Sequence, residues 1–172
     1  LYLLHGDMDD KEIHALYGHP QIKALVALPH GEGFGLPIFE AAYSGLPIVA
    51  TGWSGQMDFL VDGDRHDCFY NVAFDLQPVQ ESVVWDGVIV KDSMWAYSRE
   101  QSAKKQMRRC YDDILSGAPE AGDARAKKLA DRLQEEFAAE KKYKEFCDAV
   151  FDQEELGIED WFEALRGESE DE

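Results

Sequence analysis

The segment LVALPHGEGFGLPIFEAAYSGLPIVATGWSGQMDFL, residues 25–60, decides the fold of this chain. It opens with the apolar run 25–28, which has no polar alternation and is typical of a strand buried on both faces of a parallel sheet. A glycine-rich turn at 30–35 follows, and a Leu-Pro pair then begins a predicted helix over 36–44. A second apolar run, 46–50, comes next. The order strand, turn, helix, strand predicts a parallel α/β unit with a polar crevice at the strand ends, where such sheets bind ligands.

Two acidic residues belong to this predicted crevice. Glu32 lies in the turn and Glu40 about one turn into the helix. Because helical side chains lean toward the N-terminus, Glu40 can extend back toward the turn. The free N–H groups at the helix start suit a phosphate, so a nucleotide sugar, with hydroxyls on both sides of a diphosphate, fits the pattern. The alternative is that Glu32 is a loop residue and Glu40 a solvated helix position, which is the better interpretation for an arbitrary pair of glutamates.

The spacing of the two glutamates favours a shared binding role over two unrelated positions. Seven residues, GFGLPIF, separate Glu32 from Glu40, and the sequence continues as EAAYSGLPIVAT. This closely resembles the donor-site signature of retaining glycosyltransferases with the GT-B fold, the family-4-like group also called glycosyltransferases group 1. Residues 53–60, WSGQMDFL, resemble the next loop of that family, especially in its phage and viral members. The resemblance is strong over 25–60 and weaker but collinear over 1–114.

The resemblance implies a role for each matching residue. Glu32 corresponds to the catalytic-site glutamate that contacts donor sugar hydroxyls near the reacting carbon, and Glu40 to the glutamate that accepts hydrogen bonds from the ribose. The backbone N–H groups of four turn residues are expected to touch the sugar and the diphosphate: Gly33, Phe34, Gly35 and Leu36. His30 stands where many relatives have a serine, and we assign it no proton transfer. The resemblance also makes His5 and Gly6 weak candidates for contact with the base.

Composition limits the class of protein. The formal charge of −18 argues against nucleic-acid binding, which needs Lys and Arg to neutralise phosphates. The acidic residues are concentrated away from the motif, since 18 of the 35 lie from Ser116 onward. Three widely spaced cysteines favour free thiols in a reducing compartment, and hence a cytoplasmic protein. No apolar run is long enough to span a membrane and no signal segment opens the chain. The chain begins with Leu and an immediate apolar run, which suggests part of a longer protein.

The rest of the sequence predicts further elements around this unit. We expect a buried strand at 1–4, a helix at 9–17 capped by acidic residues, a strand at 68–72 and a helix at 94–114. Residues 77–92 could form a small hairpin around Asp86-Gly87 or a loop resting on the sheet.

The carboxy-terminal third is predicted to be helical and then disordered. The apolar stripe of 123–150 predicts one long amphipathic helix that packs on the sheet domain. Residues 152–172 carry ten acidic residues against one Arg, which is typical of a partly disordered acidic end. We therefore expect a Rossmann-like domain at 1–115, a helical segment at 116–151 and an acidic tail at 152–172.

Taken with the resemblance, the sequence predicts the donor-binding, carboxy-terminal half of a GT-B glycosyltransferase that retains anomeric configuration and needs no obligatory metal. An Arg/Lys pair and an acceptor domain, which the resemblance places before Leu1, are absent from this sequence, so the 172 residues alone are expected to be inactive. Three alternatives remain open: another GT-B enzyme such as an epimerase or a phosphorylase, a non-catalytic nucleotide-sugar-binding module or remnant, and an interaction protein that uses the acidic end and the long helix.

Overall fold

The computed structural model describes residues 3–117 and 121–150. Within these ranges the strands are β1 (Leu25–Ala27), β2 (Ile48–Thr51), β3 (Tyr70–Val72), β4 (Phe74–Pro78) and β5 (Met94–Ser98). The helices are α1 (Asp10–Tyr17), α2 (Leu36–Tyr43), α3 (Met57–Leu60), α4 (Glu100–Ser116), α5 (Gly122–Glu136) and α6 (Ala139–Val150). None of these helices has the length and apolar character needed to cross a membrane.

Three parallel strands form the sheet that positions the site. Their order is β1-β2-β3, with Val26 beside Val49 and Val49 beside Tyr70. All four residues of β2 are buried, as expected for a central strand covered on both faces. The predicted α/β architecture with a parallel sheet flanked by helices is therefore confirmed. Because the strands are parallel, the loops after β1, β2 and β3 meet at one edge of the sheet.

The sequence-based expectation that the first apolar run is buried on both faces is wrong. β1 lies at the edge of the described sheet, where Val26 is 47% exposed and Leu28 is 40% exposed. The predicted strand at 1–4 is also wrong for Leu3 and Leu4, which are exposed and outside any strand, while residues 1 and 2 lie outside the described residues. An apolar run indicates that a segment is hydrophobic, but it does not indicate how many strands lie beside it.

Helix α1 begins as the sequence predicts. Asp9 is its N-cap and accepts a hydrogen bond from the Glu12 backbone N–H through Oδ1 at 2.9 Å. Glu12 Oε2 in turn accepts from the Asp9 backbone N–H at 3.0 Å, which completes a capping box. The acidic residues before this helix therefore serve as a cap.

Strands β4 and β5 form an antiparallel hairpin that the sequence did not reveal. Phe74 pairs with Ser98 at one end and Pro78 with Met94 at the other. The helix predicted from residue 94 is therefore wrong for 94–98, and α4 begins only at Glu100. Over so short a run, the apolar residues of β5 fit both the helical and the strand periodicity. Pairing with β4 is what makes the segment a strand.

The connection between β4 and β5 settles the choice left open for 77–92. Trp85 and Ile89 form an isolated antiparallel bridge around Asp86-Gly87, and Gly87 has a φ of +78°. A short 3-10 turn at Glu81–Val83 precedes it. The segment therefore contains a tight turn of the hairpin type, closed by one bridge.

The predicted single helix over 123–150 is in fact two helices. A break at residues 137–138 separates α5 from α6, and the chain divides into two compact units after Leu133. In the first unit Leu129 and Leu133 are buried. In the second unit Phe146 is 62% exposed on α6. The predicted packing of 116–151 on the sheet stays a prediction, and the acidic tail lies outside the described residues.

The Tyr70 side chain joins β3 to α4 and α5. The ring is buried, and its hydroxyl donates to Asp113 Oδ2 at 2.9 Å and accepts from the Gly122 backbone N–H at 3.2 Å. The guanidinium of Arg125 lies 4.0 Å from the ring centroid. Burial, and then the hydrogen bond to Asp113, raise the pKa of Tyr70 from 10.0 to about 12. The neutral hydroxyl is therefore part of what holds these elements together.

We expect Tyr70→Phe to lower the free energy of unfolding at pH 7 by about 1–3 kcal/mol, because the buried Gly122 N–H loses its acceptor. A raised folded-state pKa contributes stability below pH 10 that is lost as the pH rises toward about 12. The variant should therefore lose less stability than the parent between pH 10 and 12. Urea unfolding at a series of pH values measures both effects.

Tyr143→Phe is the matched control, since Tyr143 is 70% exposed on α6. Its unfolding free energy should equal that of the parent at each pH. Equal loss of stability from pH 10 to 12 in Tyr70→Phe and in the parent would contradict the assignment.

Candidate functional site

The glycine-rich turn after β1 is clamped to the loop after β2. Ser54 Oγ donates to the Glu32 carbonyl oxygen at 2.6 Å and accepts from the Glu32 backbone N–H at 3.1 Å. The Gly55 N–H also donates to the Glu32 carbonyl, at 3.1 Å. Ser54 adopts a φ of +76°, a strained conformation for a residue with a side chain. Three hydrogen bonds therefore fix the backbone of Glu32. The sequence analysis did not identify Ser54 as part of the site.

Two glycines allow the clamp to close. A Cβ atom on Gly55 would lie 1.9 Å from the Gly33 carbonyl oxygen, so only a residue without a side chain fits. A Cβ atom on Gly33 would meet no atom within 4 Å. The space where a Gly33 side chain would begin is therefore open.

The start of α2 adjoins this turn and carries no side-chain cap. Gly35 is the N-cap residue and has a φ of +89°, in the left-handed region that favours glycine. No side chain caps this start, where Leu36 is 61% exposed. Pro37 has no N–H, and the Ile38 N–H donates to the Gly35 carbonyl oxygen at 3.0 Å, so the Leu36 N–H and the partial positive charge of the helix start are what suit an anion here.

Phe34 anchors the turn to the interior. Its ring centroid lies 5.1 Å from that of Phe59 and 5.3 Å from that of Phe39. Phe59 is 1% exposed. The side chain of Phe34 thus points toward the aromatic core, and its backbone stays in the turn with those of Gly33 and Gly35.

Glu40 lies on the side of α2 that contacts α1. Burial, and then the negative charge of the nearby Glu40 carboxylate, raise the pKa of Tyr17 above its usual value. Both side chains line a cavity of about 170 Å³ together with three residues of α1: Asp10, Ile13 and His14. Glu32 does not line this cavity. The predicted joint action of Glu32 and Glu40 on one ligand therefore stays a prediction.

His30 connects the turn to the β4–β5 hairpin. Its Nδ1 lies 2.8 Å from the Ala96 carbonyl oxygen, and the Ala96 N–H donates to the His30 carbonyl at 3.0 Å. The ring stacks on Trp95 with 5.0 Å between centroids and also contacts Tyr97. The imidazole of His30 therefore attaches the turn to β5. The role of β5 was missed, because nothing in the local pattern signals a contact across 66 positions.

A buried polar group supports the loop after β2. Gln56 is fully buried, and its Nε2 donates to the Thr51 carbonyl oxygen at 3.1 Å. Thr51 Oγ1 lies 2.7 Å from Ser98 Oγ, which ties the end of β2 to the end of β5. Trp53 is partly exposed in this loop, and its ring centroid lies 5.3 Å from that of Phe74. The hairpin therefore borders the edge of the sheet where the turn lies.

The groups of the turn and of α2 have the chemistry needed to bind a ligand. The uncapped start of α2 can stabilise a bound anion, and the carboxylates of Glu32 and Glu40 can accept hydrogen bonds from hydroxyl groups. The backbone clamp at Glu32 fixes the turn before any ligand arrives, which reduces the ordering cost of binding.

Comparison with known proteins bears on this part of the chain. Residues 2–71, less than half of the chain, match the family model described as glycosyl transferases group 1. A search of curated proteins and a search of solved structures gave no significant match. The matched range contains the turn after β1, the loop after β2 and α2. It ends just before the β4–β5 hairpin. The match supports the group 1 glycosyltransferases as the family of this segment and glycosyl transfer as its general chemistry.

Proposed function

We propose that the chain is the donor-binding domain of a retaining glycosyltransferase of the GT-B type, related to phage and viral members. Its donor is a nucleotide-diphosphate sugar, and no metal ion is obligatory. The observation that carries the proposal is the uncapped start of α2, which lies in the chain between Glu32 and Glu40 at the carboxyl edge of a parallel sheet. The family match over 2–71 supports it.

In this proposal the diphosphate rests on the start of α2. Negative charge builds on the diphosphate as the bond to the sugar breaks, and the partial positive charge of the helix start, with the Leu36 N–H, lowers the barrier. Glu32 contacts hydroxyls of the donor sugar, and backbone groups of the turn contact the sugar and diphosphate. Glu40 accepts hydrogen bonds from the ribose hydroxyls.

We expect these 172 residues alone to bind the donor weakly and not to transfer the sugar. The Arg/Lys pair and the acceptor domain that the resemblance implies are not among them. Sugar transfer by the isolated chain to any acceptor would contradict this expectation. Kinetics on a longer gene product that contains this segment would distinguish an enzyme from a non-catalytic nucleotide-sugar-binding module.

Replacing the predicted ribose ligand tests the assignment directly. We expect Glu40→Ala to weaken binding of the preferred nucleotide diphosphate about 10- to 100-fold, since two hydrogen bonds to a carboxylate contribute about 1.5–3 kcal/mol. Saturation-transfer NMR with UDP-, GDP- and ADP-glucose identifies the preferred base. Titration calorimetry with the preferred nucleotide then gives the affinities of the parent chain and of the Glu40→Ala variant.

Glu135→Ala is the matched control, because Glu135 is another exposed helical glutamate, on α5. It should leave the affinity unchanged. Equal affinity of the Glu40→Ala variant and the parent chain would remove Glu40 from the site, and absence of binding to all three nucleotides would overturn the proposed function.

A further inference from the structure

The Ser54 side chain holds both of the peptide groups that flank Glu32. Its Oγ accepts a hydrogen bond from the Glu32 N–H at 3.1 Å and donates one to the Glu32 carbonyl oxygen at 2.6 Å. The first contact orients the peptide group before Glu32, and the second orients the one after it. Because φ and ψ relate these two planar groups, one hydroxyl restricts both angles and therefore the direction of the Glu32 Cα–Cβ bond.

The neighbours of Glu32 in the chain provide little restraint of their own. Gly31 and Gly33 flank it, and glycine leaves the backbone freer than any other residue does. The Gly55 N–H also donates to the Glu32 carbonyl oxygen, at 3.1 Å, but this contact orients only the peptide group after Glu32. Without the Ser54 hydroxyl, the peptide group between Gly31 and Glu32 therefore loses its hydrogen bond to the loop after β2.

Ser54 occupies a backbone conformation that disfavours a side chain. Its φ of +76° lies in the left-handed region, which glycine adopts without strain. Glycine would therefore suit the backbone of this loop better than serine, but it would lack the hydroxyl. Strain of this kind is concentrated at binding and catalytic sites, where the surrounding structure maintains it. A strained residue that makes two hydrogen bonds to a candidate site residue therefore indicates a role in the site.

The restricted Cα–Cβ bond begins the Glu32 side chain beside the start of α2. A Cβ atom placed on Gly35, the N-cap residue of α2, would lie 3.6 Å from the Glu32 Cβ atom, an ordinary contact distance. In the proposed function the diphosphate rests on this helix start, and the donor sugar is attached to the diphosphate. A side chain whose direction is already set loses less conformational entropy when the sugar binds, which increases affinity.

We propose that Ser54 is a positioning residue, which holds Glu32 in the orientation that binds the hydroxyl groups of the donor sugar. The inference rests on the proposed function and extends the site to a residue of the loop after β2. Ser54 acts through Glu32, and its own side chain need not touch the ligand.

The test compares a nucleotide sugar with the nucleotide diphosphate that lacks the sugar. The probes are UDP-, GDP- or ADP-glucose, whichever binds the full 172-residue chain most tightly, and the corresponding diphosphate. We expect Ser54→Ala and Ser54→Gly each to weaken binding of the nucleotide sugar about three- to tenfold in titration calorimetry, because the Glu32 side chain must then be ordered by the ligand. Affinity for the diphosphate should stay close to that of the parent chain, because Glu32 is assigned to the sugar.

The two substitutions separate the hydroxyl from the strain. Both remove the hydroxyl, but only glycine also relieves the strain at a φ of +76°. Ser54→Gly should therefore unfold at a urea concentration about 0.3–1 M higher than Ser54→Ala, while the two bind the nucleotide sugar equally weakly. A loss of binding that is independent of the loss of stability is the result that a merely structural role would not give.

Two further substitutions identify the residue through which Ser54 acts. Glu32→Ala should weaken binding of the nucleotide sugar, and adding Ser54→Ala to it should have no further effect, because both changes remove one contact. Ser82 is the control, since it is exposed in the connection between β4 and β5. Ser82→Ala should leave the affinities for both probes unchanged.

Each contrary result has a distinct meaning. Parent affinity for the nucleotide sugar in both Ser54 variants, with lower affinity in Glu32→Ala, would overturn the inference and leave the proposed function intact. An equal loss of affinity for both probes, or a loss that follows stability, would show a structural role for Ser54 and also overturn the inference. An effect of Ser54→Ala that persists beside Glu32→Ala would do the same. Parent affinity in Glu32→Ala would overturn the sugar contact of Glu32 and the inference with it, and absence of binding to every nucleotide would overturn the proposed function.

Discussion

Gly55→Ala should destabilise the chain by about 3 kcal/mol or more and open the clamp around Glu32. The added methyl group would lie 1.9 Å from the Gly33 carbonyl oxygen and 3.0 Å from the Glu32 carbonyl oxygen. Both are backbone atoms, so no side-chain rotation relieves the overlap, and strain of this kind is among the mechanisms behind the largest single-residue effects. Urea unfolding measures the loss of stability, and nucleotide titration measures the effect on binding.

Gly33→Ala is the matched control for stability, because a methyl group there meets no atom within 4 Å. Its free energy of unfolding should lie within about 0.5 kcal/mol of the parent value. In the proposed function the same methyl group occupies space close to the donor, so this variant should bind nucleotide more weakly while remaining folded. Equal stability of Gly55→Ala and the parent chain would contradict the close approach of the two loops.

The second large effect is expected for Phe59→Ala, at about 3–5 kcal/mol of unfolding free energy. Phe59 is 1% exposed, and its ring contacts the rings of Phe34 and Phe39. Removing it leaves a cavity under the turn and under α2 at the same time. Nucleotide affinity should therefore fall together with stability, because Phe34 loses the partner that holds the turn in place.

Phe146→Ala provides the comparison on α6, where the side chain is 62% exposed. It should change the unfolding free energy by less than about 0.5 kcal/mol. Similar costs for the two phenylalanine substitutions, measured by urea unfolding, would show that Phe59 does not hold the core beneath the turn.

The sequence predicted the elements whose signals are local. The start of α2, the parallel pairing of β1 with β2, and the acidic cap of α1 all follow from turn chemistry, apolar runs or capping patterns within a few residues. The position of Glu32 in a turn and of Glu40 on a helix followed in the same way.

Features that depend on distant partners were not predictable from one sequence. The strand β5 was interpreted as helix, because its partner β4 is what makes it a strand. The exposure of β1 depends on the number of neighbouring strands, and the clamp depends on Ser54 meeting Glu32 across 22 positions. The break at residues 137–138 lies within a continuous amphipathic pattern, so the apolar stripe did not signal it.

The hydrogen bonds between His30 and Ala96 have a consequence for the order of assembly. The parallel sheet forms from residues 25–72, whereas the turn is completed only by a contact across 66 positions. Closing so long a loop carries an entropic cost that local pairing does not. We therefore expect the turn to be completed late in folding, when the β4–β5 hairpin packs against the parallel sheet.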